Sequence, residues 1–203
     1  MNIIEAKGSV HNLPDNSLEL VEYAARRCYN SIDKVGTDPD FLMKLATWNH
    51  WGPFEHAHMM ADITCTRSAS HQLVRHRLMS YCQESQRYVK YTTGIDIILP
   101  PKYSPNMLQI ISSCEEAYMG AVNDGGVPAQ DARAVLPNAT ATNLVVTGNL
   151  RSWLHLFHMR AFNPKAQGEI RDFTVEIANG LAEKFPLFWD IYERIKEGKV
   201  KYL

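Results

Sequence analysis

The sequence lacks several features that mark common protein classes. Its 203 residues include four cysteines, at positions 28, 65, 82 and 114, and no two of them form a CxxC pair. Zinc knuckles and disulfide scaffolds need closer cysteine spacing, so we expect reduced thiols instead. No apolar run approaches the ~20 residues of a transmembrane helix. The N-terminus also lacks the basic and apolar regions of a signal peptide. We therefore expect a cytoplasmic protein with no membrane partner.

Charge and glycine patterns disfavour further classes. The 21 lysines and arginines nearly balance 22 acidic residues, for a net charge of −1, whereas generic nucleic-acid coat proteins are strongly basic. We therefore expect no nucleic-acid partner. The 11 glycines form neither GxGxxG nor GxxxxGK[ST], the loops that hold phosphates in Rossmann and P-loop proteins. A nucleotide cofactor would have to be held by another arrangement.

Apolar periodicity predicts a helix-rich α+β protein that forms a single domain over residues 1–203. Helices are predicted over residues 17–28, 37–52, 68–77, 105–124, 128–135, 149–161, 166–184 and 185–196, and strands near 3–4, 61–66 and 144–146. Thr37 and Ser104 are the expected N-caps of the second and fourth helices, and Ala61, Ile63 and Cys65 alternate with polar residues in the second strand. Residues 78–87 lack clear periodicity, which favours a loop. The few strands do not alternate regularly with the helices, so a doubly wound parallel sheet is not expected.

Basic residues concentrate between positions 67 and 90, where Glu84 is the single acid. They are Arg67, Arg75, Arg77, Arg87 and Lys90. Arginine forks interleaved with short polar side chains suit a phosphate or pyrophosphate. Helical spacing places Gln72, Arg75 and His76 on one face, with Arg77 pointing away from it. The alternative interpretation is a solvated helix face.

Residues 149–160 form a second concentration of candidate functional side chains. Arg160 follows Phe157 by three positions and falls in line with an apolar stripe. A guanidinium on the core-facing side is costly to bury unless it meets an anion or several acceptors. Arg160 is therefore either a paired structural arginine or a ligand-binding group. The other face carries Arg151, His155 and His158.

Two hydrolytic chemistries are weaker alternatives. Several of the eight histidines lie between His50 and His76, but few carboxylates accompany them and no HExxH motif occurs. We therefore expect no metal site. Cys82 and Ser85 lie near His76 in sequence, yet no GxSxG motif is present and no acid is placed to orient the histidine. A metal hydrolase remains an alternative, and covalent catalysis is not favoured.

A binding module is the other alternative. The arginine cluster could bind RNA or a nucleotide if neighbouring aromatic side chains stack on the bases. The candidates for stacking are Tyr81, Tyr88 and Tyr91.

An ordered set of motifs resembles the flavin-dependent thymidylate synthases. Arg75-His76-Arg77, followed after seven residues by Ser85, is similar to that family's RHRx7S motif. Further matching segments are Gln72, Arg87-Tyr88, residues 50–56, residues 132–137, Asn149-x-Arg151, Arg160 and residues 166–171. The sequence departs from the common family pattern at Cys82-Gln83, where many members carry Asn-Glu, and at Gly52 and His155, which are often threonine and asparagine.

The resemblance implies a helix-rich α+β subunit with a small, mostly antiparallel sheet, assembled as a homotetramer with active sites between subunits. It implies reductive methylation of dUMP to dTMP, with 5,10-methylenetetrahydrofolate as carbon donor, tightly bound FAD as redox cofactor and NADPH as reductant. Arg160 would activate the uracil ring without an enzyme nucleophile.

The resemblance also implies two sets of ligand contacts and no metal ligands. The residues implied for FAD are His50, Gly52, Arg75, His76, Arg77, Gln83, Asn149, Arg151 and His155. Those implied for dUMP are Gln72, Arg75, Gln83, Glu84, Ser85, Gln86, Arg87, Arg133 and Arg160.

Overall fold

A four-stranded antiparallel sheet forms the centre of the molecule, in a computed structural model that describes residues 1–200. The strands are β1 (Asn2–Ile3), β2 (Lys7–Asn12), β3 (His58–Thr66), β4 (Ser80–Gln83), β5 (Asp96–Ile97) and β6 (Ala141–Asn149). The order of the main sheet is β2-β3-β6-β4, while β1 and β5 form a separate parallel pair. The expected small and mostly antiparallel sheet is confirmed.

Eight α-helices surround this sheet among the described residues, which confirms a helix-rich α+β domain. They are α1 (Ser17–Cys28), α2 (Pro39–Thr47), α3 (Arg67–Leu73), α4 (Pro105–Met119), α5 (Ala129–Ala132), α6 (Leu150–Leu156), α7 (Gly168–Lys184) and α8 (Leu187–Lys196). Within residues 1–200, no helix has the length and apolar character needed to cross a bilayer.

The main core lies on one face of the sheet, as the alternation in β3 predicts. Ala61, Ile63 and Cys65 are buried, whereas Asp62 and Thr64 on the opposite face are half-buried. The alternation of apolar and polar residues in β3 therefore agrees with its burial pattern.

Helix α6 follows β6 directly and packs on the core. Trp153 is fully buried, and its indole Nε1 donates a hydrogen bond to the backbone oxygen of Met59 at 3.0 Å. This bond ties α6 to β3 because a buried indole N–H requires an acceptor.

Strand β2 is not predicted by periodicity because its sequence is largely polar. Its position at the sheet edge is stabilised by α7 instead. The backbone N–H of Gly8 donates to Glu176 Oε2 at 2.7 Å, and a Cβ atom on Gly8 would lie 2.5 Å from the backbone oxygen of Phe173. Only glycine therefore allows α7 to approach β2 so closely.

Helix α2 differs from the prediction at both ends. Its N-cap is Asp38, whose Oδ1 accepts hydrogen bonds from the backbone N–H groups of Asp40 and Phe41, rather than the predicted Thr37. The helix ends at Thr47 instead of near residue 52. Asn49 has a φ of 59°, which is incompatible with a continuing right-handed helix.

Two predictions next to the arginine cluster are also wrong. Helix α3 ends at Leu73, so Arg75 and His76 lie in the turn that follows and do not share a helix face with Gln72. Residues 80–83 form β4 where a loop is predicted. This strand pairs with β6 at the edge of the sheet, and its short polar sequence gives no apolar alternation.

A cationic candidate active site

A cleft of about 560 Å³ opens between α6 and the turn that follows α3. It gathers seven of the residues implied for ligand binding: Arg75, His76, Arg77, Asn149, Arg151, His155 and Arg160. Two segments far apart in sequence, residues 75–77 and 149–160, therefore meet at one site. One carboxylate, that of Glu55, lines the same cleft and forms an ion pair with Arg151.

Two of the four arginines in the cleft have no polar partner for their guanidinium groups within the described residues. Arg75 and Arg77 are exposed, and neither forms an ion pair or a side-chain hydrogen bond with any residue between 1 and 200. Guanidinium groups with free donors in a concave site bind phosphates well, since their planar forks match the anion. The cleft therefore has the charge and the donor groups to accommodate an anion.

Arg160 lies in the cleft and not on the apolar face of its helix, which corrects the sequence interpretation. Residues 157–161 form a π-turn, in which the backbone N–H of Phe162 donates to the oxygen of Phe157 at 3.0 Å. A turn with i→i+5 bonding contains one residue more than an α-helical turn. The extra residue brings Arg160 to the side of the helix that carries His155.

Arg160 is held by His76 from the other segment. Its Nε donates to His76 Nε2 at 3.1 Å, so this nitrogen must be unprotonated and the imidazole neutral. Burial lowers the pKa of His76 to about 4, and the positive charge of Arg160 and the neighbouring His155 contribute. The pKa of His155 is also lowered, first by burial and then by His158 and Arg151.

We predict that His76 of the free protein titrates near pH 4 in an NMR titration of the imidazole signals. In Arg160→Ala the midpoint should rise toward the ordinary value of about 6.5, because removal of the cation and exposure of the ring both favour the imidazolium. A wild-type midpoint at the ordinary value would show that His76 is not the acceptor for Arg160.

Asn149 and Arg151 occupy the start of α6. Asn149 is the N-cap, and its Oδ1 accepts from the backbone N–H of Ser152 at 2.8 Å. This commits the carbonyl oxygen of its side chain and leaves the amide NH2 as a donor toward a ligand. Because α6 follows β6 directly, Asn149 and Arg151 both lie at the junction of the two elements, beside the cleft.

Tyr81 in β4 does not line the cleft but supports it, a role different from the base stacking that its place in the sequence suggests. Its hydroxyl lies 3.0 Å from the backbone oxygen of Leu73 and 2.8 Å from that of His76. Burial raises the pKa of Tyr81 to about 12, so the hydroxyl stays protonated and can donate. The hydroxyl therefore stabilises the turn that presents Arg75 and Arg77. A tyrosine inside the motif, four residues after Arg77, is the only signal in the sequence.

Replacing Tyr81 with phenylalanine should weaken binding of an anionic ligand in the cleft. We expect roughly a fivefold loss of flavin affinity, since a neutral hydrogen bond contributes about 1 kcal/mol. The free energy of unfolding should fall by about 1 kcal/mol for the same reason. Tyr91→Phe is the matched control, because the Tyr91 hydroxyl donates to Glu84 outside the cleft. Equal flavin affinity in both variants, measured by fluorescence titration, would argue against this role for Tyr81.

The remaining implied residues do not line the cleft within the described part of the chain. They are His50, Gly52, Gln72, Gln83, Glu84, Ser85, Gln86, Arg87 and Arg133. Several of them already have partners: Arg87 lies over the ring of Tyr88, and Arg133 Nε donates to the backbone oxygen of Gln130. The single chain therefore brings together most of the implied flavin contacts but few of the implied dUMP contacts.

Gln83 and Glu84 point into internal hydrogen-bond networks. Gln83 Nε2 donates to Ser70 Oγ and Thr142 Oγ1, which links β4 with α3 and β6. The carboxylate of Glu84 accepts from the Tyr91 hydroxyl at 2.9 Å and from Asn143 Nδ2 at 2.8 Å. Both side chains stabilise the region around the arginine cluster in this structure.

Metal-binding geometry is not found in the described residues. Between residues 1 and 200, no three His, Cys, Asp or Glu side chains cluster closely enough to hold an ion.

The fold and the cleft together define a helix-rich α+β protein with a cationic cleft. A family model described as thymidylate synthase complementing protein matches residues 10–187. The flavin-dependent thymidylate synthase of Geobacter sulfurreducens is 41% identical over 173 residues, covering 77% of this chain and 74% of that protein. The enzyme of the same name from Mycolicibacterium vanbaalenii is 35% identical over 204 residues, covering 88% and 81%.

The chain belongs to the family of flavin-dependent thymidylate synthases, and it is a methyltransferase. The fold agrees with a crystal structure of the UMP/dUMP methylase PolB from Streptomyces cacaoi bound with 5-Br dUMP. That structure superposes with a TM-score of 0.82 at 21% identity, covering 95% of this chain and 97% of the other.

Proposed function

We propose that this enzyme converts dUMP to dTMP by reductive methylation, with 5,10-methylenetetrahydrofolate as carbon donor, FAD as bound redox cofactor and NADPH as reductant. The observation that carries the proposal is the convergence of Arg75 and Arg77, both without partners, with Arg160 in one cleft. FAD carries a pyrophosphate and dUMP a phosphate, so the reaction requires several fixed cations. The family relationship adds the flavin and the methyl transfer.

The residues of the cleft fit a flavin nucleotide. Arg75 and Arg77 would bind the pyrophosphate, while Asn149, Arg151 and His155 supply further donors along α6. The neutral imidazole of His76 adds a polar surface without additional charge. When bound, the flavin supplies the hydride that completes the methyl group. The protein contributes ligand placement and a preorganised positive potential.

Arg160 would act on the uracil ring of dUMP. Because its Nε is occupied by His76, the two terminal nitrogens remain to contact the N3 and carbonyl edge of the pyrimidine. Negative charge that develops on this edge when C5 becomes nucleophilic is stabilised by the guanidinium. No covalent bond to the enzyme is needed in this scheme. A pyrimidine nucleotide also agrees with the analogue that the PolB structure contains.

We further propose that the enzyme is a homotetramer whose active sites are shared between subunits. Ser85, Arg87 and Arg133 carry implied phosphate-binding groups but lie outside the cleft of their own subunit. Leu78 and Tyr88, which flank the motif loop, are 85% and 77% exposed, as residues of an interface would be in an isolated subunit. A second copy would cover these side chains and contribute its Arg87 and Arg133 to the cleft.

Mixing two inactive variants tests the shared site. Arg87→Ala and Arg160→Ala should each be inactive, and subunit exchange between them should restore activity, because some mixed sites combine two intact contributions. Sedimentation should show a tetramer. Monomeric protein with full activity would exclude the shared arrangement.

A product assay tests the proposed reaction itself. The purified, flavin-containing protein should form dTMP from dUMP only when methylenetetrahydrofolate and NADPH are added, and protein stripped of its flavin should regain this activity only with FAD. Formation of dTMP without flavin, or none in the complete mixture, would contradict the proposal. A hydrolytic activity that a chelator abolishes, in protein that forms no dTMP, would favour the metal hydrolase alternative.

We also propose a cytoplasmic location, since all four cysteines are free thiols and disulfides are rare in that compartment.

A further inference from the structure

The segment 166–171 matches the family pattern, yet its residues do not line the cleft within the described chain. Two of its side chains contact α3 or the N-cap of α3, the helix that leads into the turn with residues 75–77. The segment therefore bears on the site through α3.

Glu169 in the first turn of α7 holds the start of α3. Its Oε1 accepts from the backbone N–H of Thr66 at 2.6 Å, and its Oε2 accepts from the Thr66 hydroxyl at 2.9 Å. Thr66 is also the N-cap of α3, because its Oγ1 accepts from the backbone N–H of Ala69 at 3.0 Å. One buried threonine thus joins β3, α3 and the carboxylate, and hydrogen bonds to a carboxylate are the stronger kind.

Gln167 holds the last turn of the same helix. Its Oε1 accepts from Gln72 Nε2 at 2.5 Å. Because Gln72 uses its NH2 group for this contact, its carbonyl oxygen remains available to accept from a ligand. Two side chains at the start of α7 therefore contact both ends of α3.

We propose that Glu169 and Gln167 are positioning residues that fix α3 at both ends, so that Gln72 and the arginine turn meet their ligands in a productive geometry. The proposal rests on the proposed function for the identity of these ligands, FAD and dUMP. Neither residue contacts a ligand itself. Their effect passes through Thr66 at one end of α3 and Gln72 at the other.

Glu169→Gln is the first test, and Glu176→Gln is its matched control. Glu176 lies on the same helix and also accepts a backbone N–H, that of Gly8, but it does so at the sheet edge. We expect Glu169→Gln to weaken FAD and dUMP binding roughly tenfold, as the loss of a charge-assisted hydrogen bond would. Glu176→Gln should leave both affinities unchanged, even if it lowers the melting temperature as much.

A double-mutant cycle tests Gln167 separately. Gln167→Met should raise the KM for dUMP with little change in kcat. In a Gln72→Met background the same substitution should have no further effect, because Gln167 acts only through Gln72. Equal effects of Gln167→Met in both backgrounds would show that it acts by another route.

Failure of this proposal can be distinguished from failure of the proposed function. If the wild type binds FAD and dUMP but Glu169→Gln and Glu176→Gln bind them equally well, the positioning role is wrong. If the wild type binds neither ligand, the proposed function is wrong. Amide hydrogen exchange then tests whether Glu169 still fixes α3. Faster amide exchange in residues 67–77 of Glu169→Gln alone would then support the positioning role, and unchanged exchange would overturn it.

Discussion

Arg160→Ala is expected to slow dTMP formation severely while the flavin stays bound. The flavin should remain because its phosphates would be held by Arg75 and Arg77, which the substitution leaves in place. The rate should fall about 10²–10³-fold, the usual cost of removing one preorganised donor from a developing negative charge. Single-turnover formation of dTMP, followed with saturating dUMP, would measure the effect on the chemical step.

Two control variants separate charge, shape and stability in this experiment. Arg160→Lys keeps the charge but loses the planar fork, so it should retain only part of the activity. Arg27→Ala removes an arginine that donates to the Tyr23 hydroxyl on α1, outside the cleft, and it should behave like the wild type. Wild-type turnover in Arg160→Ala would exclude the proposed role, and loss of flavin together with activity would assign Arg160 to cofactor binding instead.

Arg77→Ala is expected to reduce FAD affinity about 10- to 100-fold, since a charge-assisted hydrogen bond contributes about 1.5–3 kcal/mol. The protein should be purified largely without its flavin, and its residual affinity should depend less on salt than that of the wild type. Stability should hardly change, because Arg77 is exposed and has no ion-pair partner among residues 1–200. Fluorescence titration with FAD at two salt concentrations provides the measurement.

Arg27→Ala is the control for this second prediction. Arg27 lies on α1, where its side chain donates to the Tyr23 hydroxyl and contacts that ring, outside the cleft. Its removal changes the net charge by the same amount as removal of Arg77. If both variants lose flavin affinity equally, the effect is one of overall charge, and Arg77 has no specific contact with the cofactor.

The parts of the fold that follow from local periodicity could be predicted from the sequence. The alternation in β3 and the cap of α4 at Ser104, whose hydroxyl accepts from the backbone N–H of Met107, both agree with the structure. Strands β2 and β4 could not be predicted, because edge strands with polar sequences are stabilised by their partners. For β2 that partner is α7, through Gly8 and Glu176.

Some of the residues that form the cleft could be predicted from the sequence, but the geometry of the cleft could not. The motifs identify Arg75, Arg77 and Arg160, yet a regular helix would place Arg160 on the core side. The π-turn at 157–161 rotates Arg160 away from the core side. Hydrophobic spacing carries no signal for such an inserted residue. The contact between Tyr81 and the arginine turn depends on the pairing of β4 with β6, which is not visible locally.

The visible absorbance spectrum of the purified protein, recorded with and without dUMP and then with NADPH, tests most directly whether flavin and nucleotide bind side by side. A yellow protein is expected, with a flavin band that dUMP perturbs and that NADPH bleaches under anaerobic conditions. Arg160→Ala should show the same band. A colourless protein that also fails to bind added FAD, or a flavin spectrum that saturating dUMP leaves unchanged, would contradict this arrangement.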